Sequence, residues 1–144
     1  MAEPASEITD LAEIRTRLFA TRTVALLGAH EEPSRAAHYV PEYLHSVGMR
    51  ILPVNPRYEG RMLWGEPVRA SLAEIREPVD MVDVFRRPDQ LFSHLEDLLA
   101  MEPAPGLVWL QLGIRNDRFA RAVVDAGIDI VQSRCTLADH RRWG

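Results

Sequence analysis

The chain has 144 residues, 17 basic and 21 acidic, for a formal charge of −4, and all 17 basic residues are Arg. With 47% hydrophobic and 26% charged residues it reads as a one-domain globular protein, long enough to bury roughly two thirds of its unfolded surface. The charge speaks against a nucleic-acid binder, the missing Lys excludes Schiff-base, P-loop and lysine general-base chemistry, and the single Cys135 excludes a disulfide framework or a multi-cysteine metal site.

The first ten residues, MAEPASEITD, are acidic and polar, unlike a secretory signal. Residues 6–20 carry Ile8, Leu11, Ile14 and Leu18 at helical spacing and read as an amphipathic helix, with Asp10 and Glu13 set as a capping box that would instead start it late. Thr23 to Ala29 is an apolar run without alternation, the pattern of a strand buried on both faces. A helix is expected over His38–Val47, stopped by Gly48, and a second strand over Met49–Val54, ended by Asn55-Pro56. A polar stretch, Arg57 to Glu66, precedes a short helix at Ser71–Arg76. Val79–Phe85 is a third strand, Asp89–Met101 a helix with Pro88 in its first turn, and Gly106–Leu112 a fourth strand. Asn116–Ala126 is a helix closed by Gly127, Ile128–Val131 a last strand, and a short polar helix ends the chain.

Strands alternating with single helices make βαβ units, right-handed crossovers and a mostly parallel sheet. The expected fold is a doubly wound α/β domain with helices on both faces, over residues 23–144, preceded by an N-terminal helical extension, 1–22. No apolar run exceeds seven residues, far short of a membrane span, so a cytoplasmic protein without a membrane partner is expected.

In such a sheet, ligands bind outside the carboxyl ends of the strands. Each of the five loops following a strand contains Arg: Arg35, Arg57, Arg86 with Arg87, Arg115 and Arg134. The negative charge lies elsewhere: Asp89, Glu96, Asp97 and Glu102 fall in a segment with no base. Helix N-termini on that same edge favour anions, and the guanidinium fork suits phosphate. A dinucleotide fingerprint is absent, because Gly28 is the only glycine of its loop and the second strand ends in Val54-Asn55-Pro56-Arg57 with no acid. NAD is disfavoured; NADP and coenzyme A remain open, since Arg57 could take the extra phosphate of either.

The segments Gly28 to Leu44 with Pro33 and Arg35, Val54-Asn55-Pro56, Val79 to Pro88, Trp109 to Gly113 and Arg134-Cys135 together resemble the small single-domain CoA-binding proteins. That family is similar in fold to the CoA-binding domain of the succinyl-CoA synthetase α subunit. The resemblance implies a Rossmann-like domain holding the ADP part of coenzyme A, or of an acyl-CoA, across the strand ends. On that reading the loop backbone of Gly28, Ala29, His30, Pro33 and Ser34, with Arg35, meets the pyrophosphate. Asn55, Pro56 and Arg57 meet the ribose phosphate or adenine side, and Phe85, Arg86, Arg87 and Pro88 line the cleft with Gly113 and Cys135 beyond them. The chain departs from the family pattern at His30, at Ala37-His38 and at Ser133, where a small hydroxyl residue, a Ser-Tyr pair and an Asp are usual. His30 and His38 either replace the lost hydroxyls as donors or leave CoA binding weaker.

The function implied is a non-catalytic carrier, sensor or interaction module for a small nucleotide ligand. The alternative is an NADP-dependent or CoA-dependent enzyme using His30, Asp83 or Cys135, and a third reading is a degenerate site serving protein contacts. Asp80 and Asp83, three apart on one strand, face opposite sides of the sheet and cannot act as a pair. The five His show no metal-ligand spacing. His140 and Asp139 are expected on a surface helix, Trp109 in the core, and Trp64 and Trp143 either exposed or at a subunit contact of a homo-oligomer.

Overall fold

A computed structural model of the protein describes residues 4–144, so the first three residues of the expected extension lie outside the described part. Five strands form one parallel sheet: β1 (Thr23–Leu27), β2 (Arg50–Val54), β5 (Met81–Val84), β6 (Leu107–Leu110) and β7 (Asp129–Val131), in the order β2-β1-β5-β6-β7. The helices are α1 (Leu11–Ala20), α2 (Ala36–Ser46), α3 (Leu95–Leu99), α4 (Asp117–Asp125) and α5 (Thr136–Trp143). The apolar runs become strands because both faces are covered, and their alternate residues divide between two cores. Ala25, Leu27, Val82, Val84, Val108 and Leu110 pack with Leu72, Leu98, Phe119 and Val123 on the α3 and α4 side. Val24, Leu26, Met81, Leu107 and Trp109 pack with Ile14, Leu18 and Leu44 on the other, where Trp143 of α5 joins them. This is the doubly wound, Rossmann-like arrangement expected of the sequence: the strands stay parallel, and the direction in which successive strands are added reverses between β1 and β5.

Several elements differ from expectation, among them the short helix at Ser71–Arg76, which is a 3-10 turn over Leu72–Glu74. Residues 6–8 are extended rather than helical: Ile8 N–H donates to Ile130 O at 2.8 Å and Ile130 N–H to Ser6 O at 3.1 Å, so this segment covers the outer edge of β7. An exposed parallel edge has unpaired N–H and C=O groups, and pairing them while burying Ile8 outweighs one more helical turn. The helix starts only after Asp10, whose carboxylate accepts from Glu13 N–H at 3.1 Å as a cap. In the polar stretch, β3 (Met62–Leu63) and β4 (Glu66–Pro67) form a small antiparallel hairpin. The helix expected over Asp89–Met101 is a 3-10 turn at Pro88–His94 followed by the short α3.

The terminal helix is not a polar surface helix. Asp139 is buried and forms a two-pronged pair with Arg134, at 2.7 and 2.9 Å. His140 stacks on Phe19 of α1 and meets the Tyr43 hydroxyl of α2 at 2.8 Å. Trp109 is fully buried, its indole N–H donating to Arg134 O, and Trp64 and Trp143 pack against the core instead of standing free. Among the described residues no helix is long and apolar enough to cross a membrane.

Candidate functional site

The reversal point lies between Gly28, just after β1, and Phe85, just after β5. Gly28 has φ +92°, and a Cβ there would stand 2.3 Å from the Phe85 carbonyl oxygen, so only glycine lets the two loops approach this closely. Its N–H and that of Ala29 both donate to Val54 O, and Asn55 Nδ2 donates to Ala29 O at 2.8 Å. Asn55 is buried and its Oδ1 accepts from Arg57 N–H, so its amide braces the loops after β1 and β2 against each other.

The first loop is tied to α2 by a proline. Pro41 inside α2 has no N–H to give to Ala37 O four residues earlier, and that carbonyl accepts from His30 N–H instead, at 3.3 Å. His38 on the same helix has Nδ1 2.8 Å from His30 O, where it donates. His30 Nδ1 accepts from Glu32 N–H, which places the ring proton on Nε2, 3.2 Å from the Tyr58 hydroxyl. Burial, with the nearby Arg35 and Arg57, holds this imidazole below its ordinary pKa. Both ring nitrogens are thereby committed to holding the loop.

Together these loops enclose an open cleft of about 620 Å³ at the carboxyl edge of the sheet. Gly28, His30, Arg35, Asn55, Pro56, Arg57, Phe85, Arg86, Arg87, Pro88 and Gly113 line it. Ala29 is buried behind it, while Pro33 and Ser34 sit exposed on the outer part of their loop and do not line it. Cys135 lies in a separate hollow of about 250 Å³ with Ser133, Arg134 and Asp139; Leu112 borders both spaces. Asp83 is fully buried on the α1 and α5 side of the sheet, accepting from Gln111 Nε2 at 2.7 Å and from the Thr136 hydroxyl at 3.2 Å. Burial pushes its carboxyl up to about 7. Asp80 accepts from the N–H groups of Arg22 and Thr23 at the other end of that strand.

The sequence reading passed over Ala36, Leu112 and Ile114. Ala36 opens α2, whose first turn has no side-chain cap and faces the cleft, and Leu112 and Ile114 flank Gly113 in the loop after β6. The flanks of Gly113 were the signal available for the latter two; Leu112 stands largely exposed at the cleft, while Ile114 also packs against the core on the α3 and α4 side.

The six edge arginines divide. Arg115 pairs with Glu7 and Asp117, and Arg134 with Asp139. Arg35, Arg57 and Arg86 pair with no carboxylate among the described residues, and Arg87 has only the exposed Asp89, 3.6 Å away. Burial lowers the pKa of the Arg86 guanidinium, and the hydrogen bonds to Asp139 raise that of Arg134. Four cations, an uncapped helix N-terminus and apolar walls from Pro56, Pro88 and Leu112 thus share one cleft.

Comparison with known proteins agrees in fold and extent. A structure from Thermus thermophilus, cell-free ID.343, superposes with a TM-score of 0.89 at 50% identity, over 94% of this chain and 100% of that one. A hypothetical protein from Pyrococcus horikoshii OT3 gives a TM-score of 0.84 at 30% identity, over 99% and 97%. The uncharacterized protein YneT of Bacillus subtilis (strain 168) is 32% identical over 129 residues, 90% of this chain and 93% of its own. The CoA binding domain matches residues 22–141, and with that match over most of the sequence the chain belongs to the CoA binding domain family.

Proposed function

We propose that the cleft binds coenzyme A or an acyl-CoA through its phosphates, and that the protein works as a carrier, sensor or interaction module rather than as a catalyst. The observation carrying this reading is that Arg35, Arg57 and Arg86 converge on one cleft without carboxylate partners among the described residues, beside the uncapped start of α2. Cations left unpaired in a concavity are suited to an anion brought by the ligand. The residues present fit the polyphosphate part of such a ligand, since the Arg86 guanidinium in the cleft wall has no carboxylate partner among the described residues.

The non-catalytic part rests on where the three reactive residues lie. His30 uses both ring nitrogens to hold its loop, Asp83 is sealed in the core, and Cys135 opens into the neighbouring hollow. They do not converge on one reacting atom, as acid–base or nucleophilic catalysis requires.

Titration calorimetry at low salt tests the binding. Coenzyme A is expected to bind, with Arg35→Ala and Arg57→Ala each weakening it by about tenfold, the scale of one exposed charge-assisted contact. No heat at millimolar coenzyme A would overturn the reading, and binding of NADP in its place would move it to the reductase alternative.

A further inference from the structure

The four cleft arginines are not equivalent. Arg35, Arg57 and Arg87 are exposed, whereas Arg86 is half-buried, in the loop that leaves β5 at the point where the sheet order reverses. Its Nε is shut off from solvent and meets no acceptor. Among the described residues no carboxylate pairs with it. His94 is an ionisable neighbour, and burial together with the Arg86 charge makes that imidazole harder to protonate; whether neutral or protonated, an imidazole offers no counter-charge to the guanidinium. A guanidinium withdrawn from water without a partner destabilises the free protein. Arg69 Nη1 is also buried without a partner, but Arg69 does not line the cleft; Arg86 combines the missing partner with a place in the cleft wall, whereas Arg134 has Nε and Nη2 both taken by Asp139.

We propose that Arg86 is the anion anchor of the cleft, a specificity-determining residue whose two terminal nitrogens, free of protein partners among the described residues, receive one phosphate or pyrophosphate group of the ligand. End-on binding through the two terminal nitrogens is bidentate, which a guanidinium provides and an ammonium does not. Being the most withdrawn from solvent of the four, the contact is weakly screened, while those of Arg35 and Arg57 are exposed to salt. The identity of the ligand rests on the coenzyme A reading; the role of Arg86 does not, because inorganic pyrophosphate has the same anionic chemistry.

The test measures thermal unfolding and calorimetric affinity for wild type, Arg86→Met and Arg86→Lys, with coenzyme A and with inorganic pyrophosphate as separate probes. Arg86→Met is expected to unfold at the same temperature as the wild type or above it in the absence of ligand, and to bind at least about thirtyfold more weakly, more than Arg35→Ala does. Arg86→Lys is expected not to restore binding, and the loss is expected to persist at high salt, where the Arg35→Ala effect fades. Pyrophosphate binding through Arg86 with no response to coenzyme A supports the anchor and removes the coenzyme A reading. Unchanged coenzyme A affinity in Arg86→Met removes the anchor and leaves the coenzyme A reading. A fall in unfolding temperature of the free Arg86→Met and Arg86→Lys variants, rescue by Lys, or no binding of either probe to the wild type overturns the proposal.

Discussion

Arg86 and Arg134 follow neighbouring parts of the same sheet edge, each partly buried, and they live in opposite circumstances. On the β6 and β7 side, Arg134 has Nε and Nη2 closed by Asp139, its guanidinium lies over the Trp143 ring, and its carbonyl accepts from Trp109. On the β1 and β5 side, Arg86 has an orphaned Nε and a cleft in front of it. The first region spends its polar groups on its own stability, and the second leaves them unspent. Position at a strand end, by itself, therefore does not identify a ligand-binding arginine; the presence or absence of a carboxylate supplied by another part of the fold does.

The largest effect that would break the open side is Gly28→Ala. The added methyl would meet the Phe85 carbonyl and the backbone would be strained at φ +92°, so a loss of about 4 kcal/mol is expected from the denaturation midpoint. Next, on the closed side, Arg134→Ala leaves the Asp139 carboxylate buried and unpaired, and a loss of about 3 kcal/mol is expected. If Arg134→Ala instead proves as mild as Arg86→Met in the free protein, the contrast between the two regions fails.

Asp83 lies on the seam, joining β5 to Gln111 after β6 and to Thr136 at the start of α5. Its folded pKa, about 7, is above its ordinary 3.8. Below about pH 4 the carboxyl is protonated folded and unfolded alike, and nothing is lost. As pH rises from there toward 7 the unfolded carboxyl ionises while the folded one keeps its proton, so stability falls, by up to about 1.4 kcal/mol per pH unit, and levels off above about pH 7. Asp83→Asn is expected to lack that slope, becoming more stable relative to wild type as pH rises; parallel curves for the two proteins would contradict it. The smallest effect belongs away from both regions: Asp10→Ala removes the α1 cap and should cost about 1 kcal/mol in chemical denaturation without altering ligand affinity.

Much of this molecule was readable in advance. The runs around Ala25, Leu52, Val82, Trp109 and Ile130 announced strands, the first of them covered on both faces, and each strand of the parallel sheet lies where expected to within a few residues. Asp10 and Asn116 marked the starts of their helices, and both side chains cap. Residues 6–8 were misread because Ile8 fits a helical repeat, while its actual use, covering the edge of β7, depends on a strand more than a hundred residues later. Asp139 was misread because a polar helix looks solvated when its partner cannot be seen; Arg134 buries it. The cleft-lining Leu112 and Ile114 carry no motif, and they became visible only once the loop after β6 was placed beside those after β1 and β5.

By itself the sequence determined the parallel sheet and the placement of an arginine after every strand, since both follow from local patterns of apolar runs and turns. Which arginines stay free was decided by tertiary structure alone. Glu7 reaches Arg115 from the other end of the chain, and Asp129 does the same for Arg17, while no described acid is brought to Arg86. Electrostatic pairing falls off with distance and depends on burial, so it belongs to the folded neighbourhood and has no signature in sequence spacing.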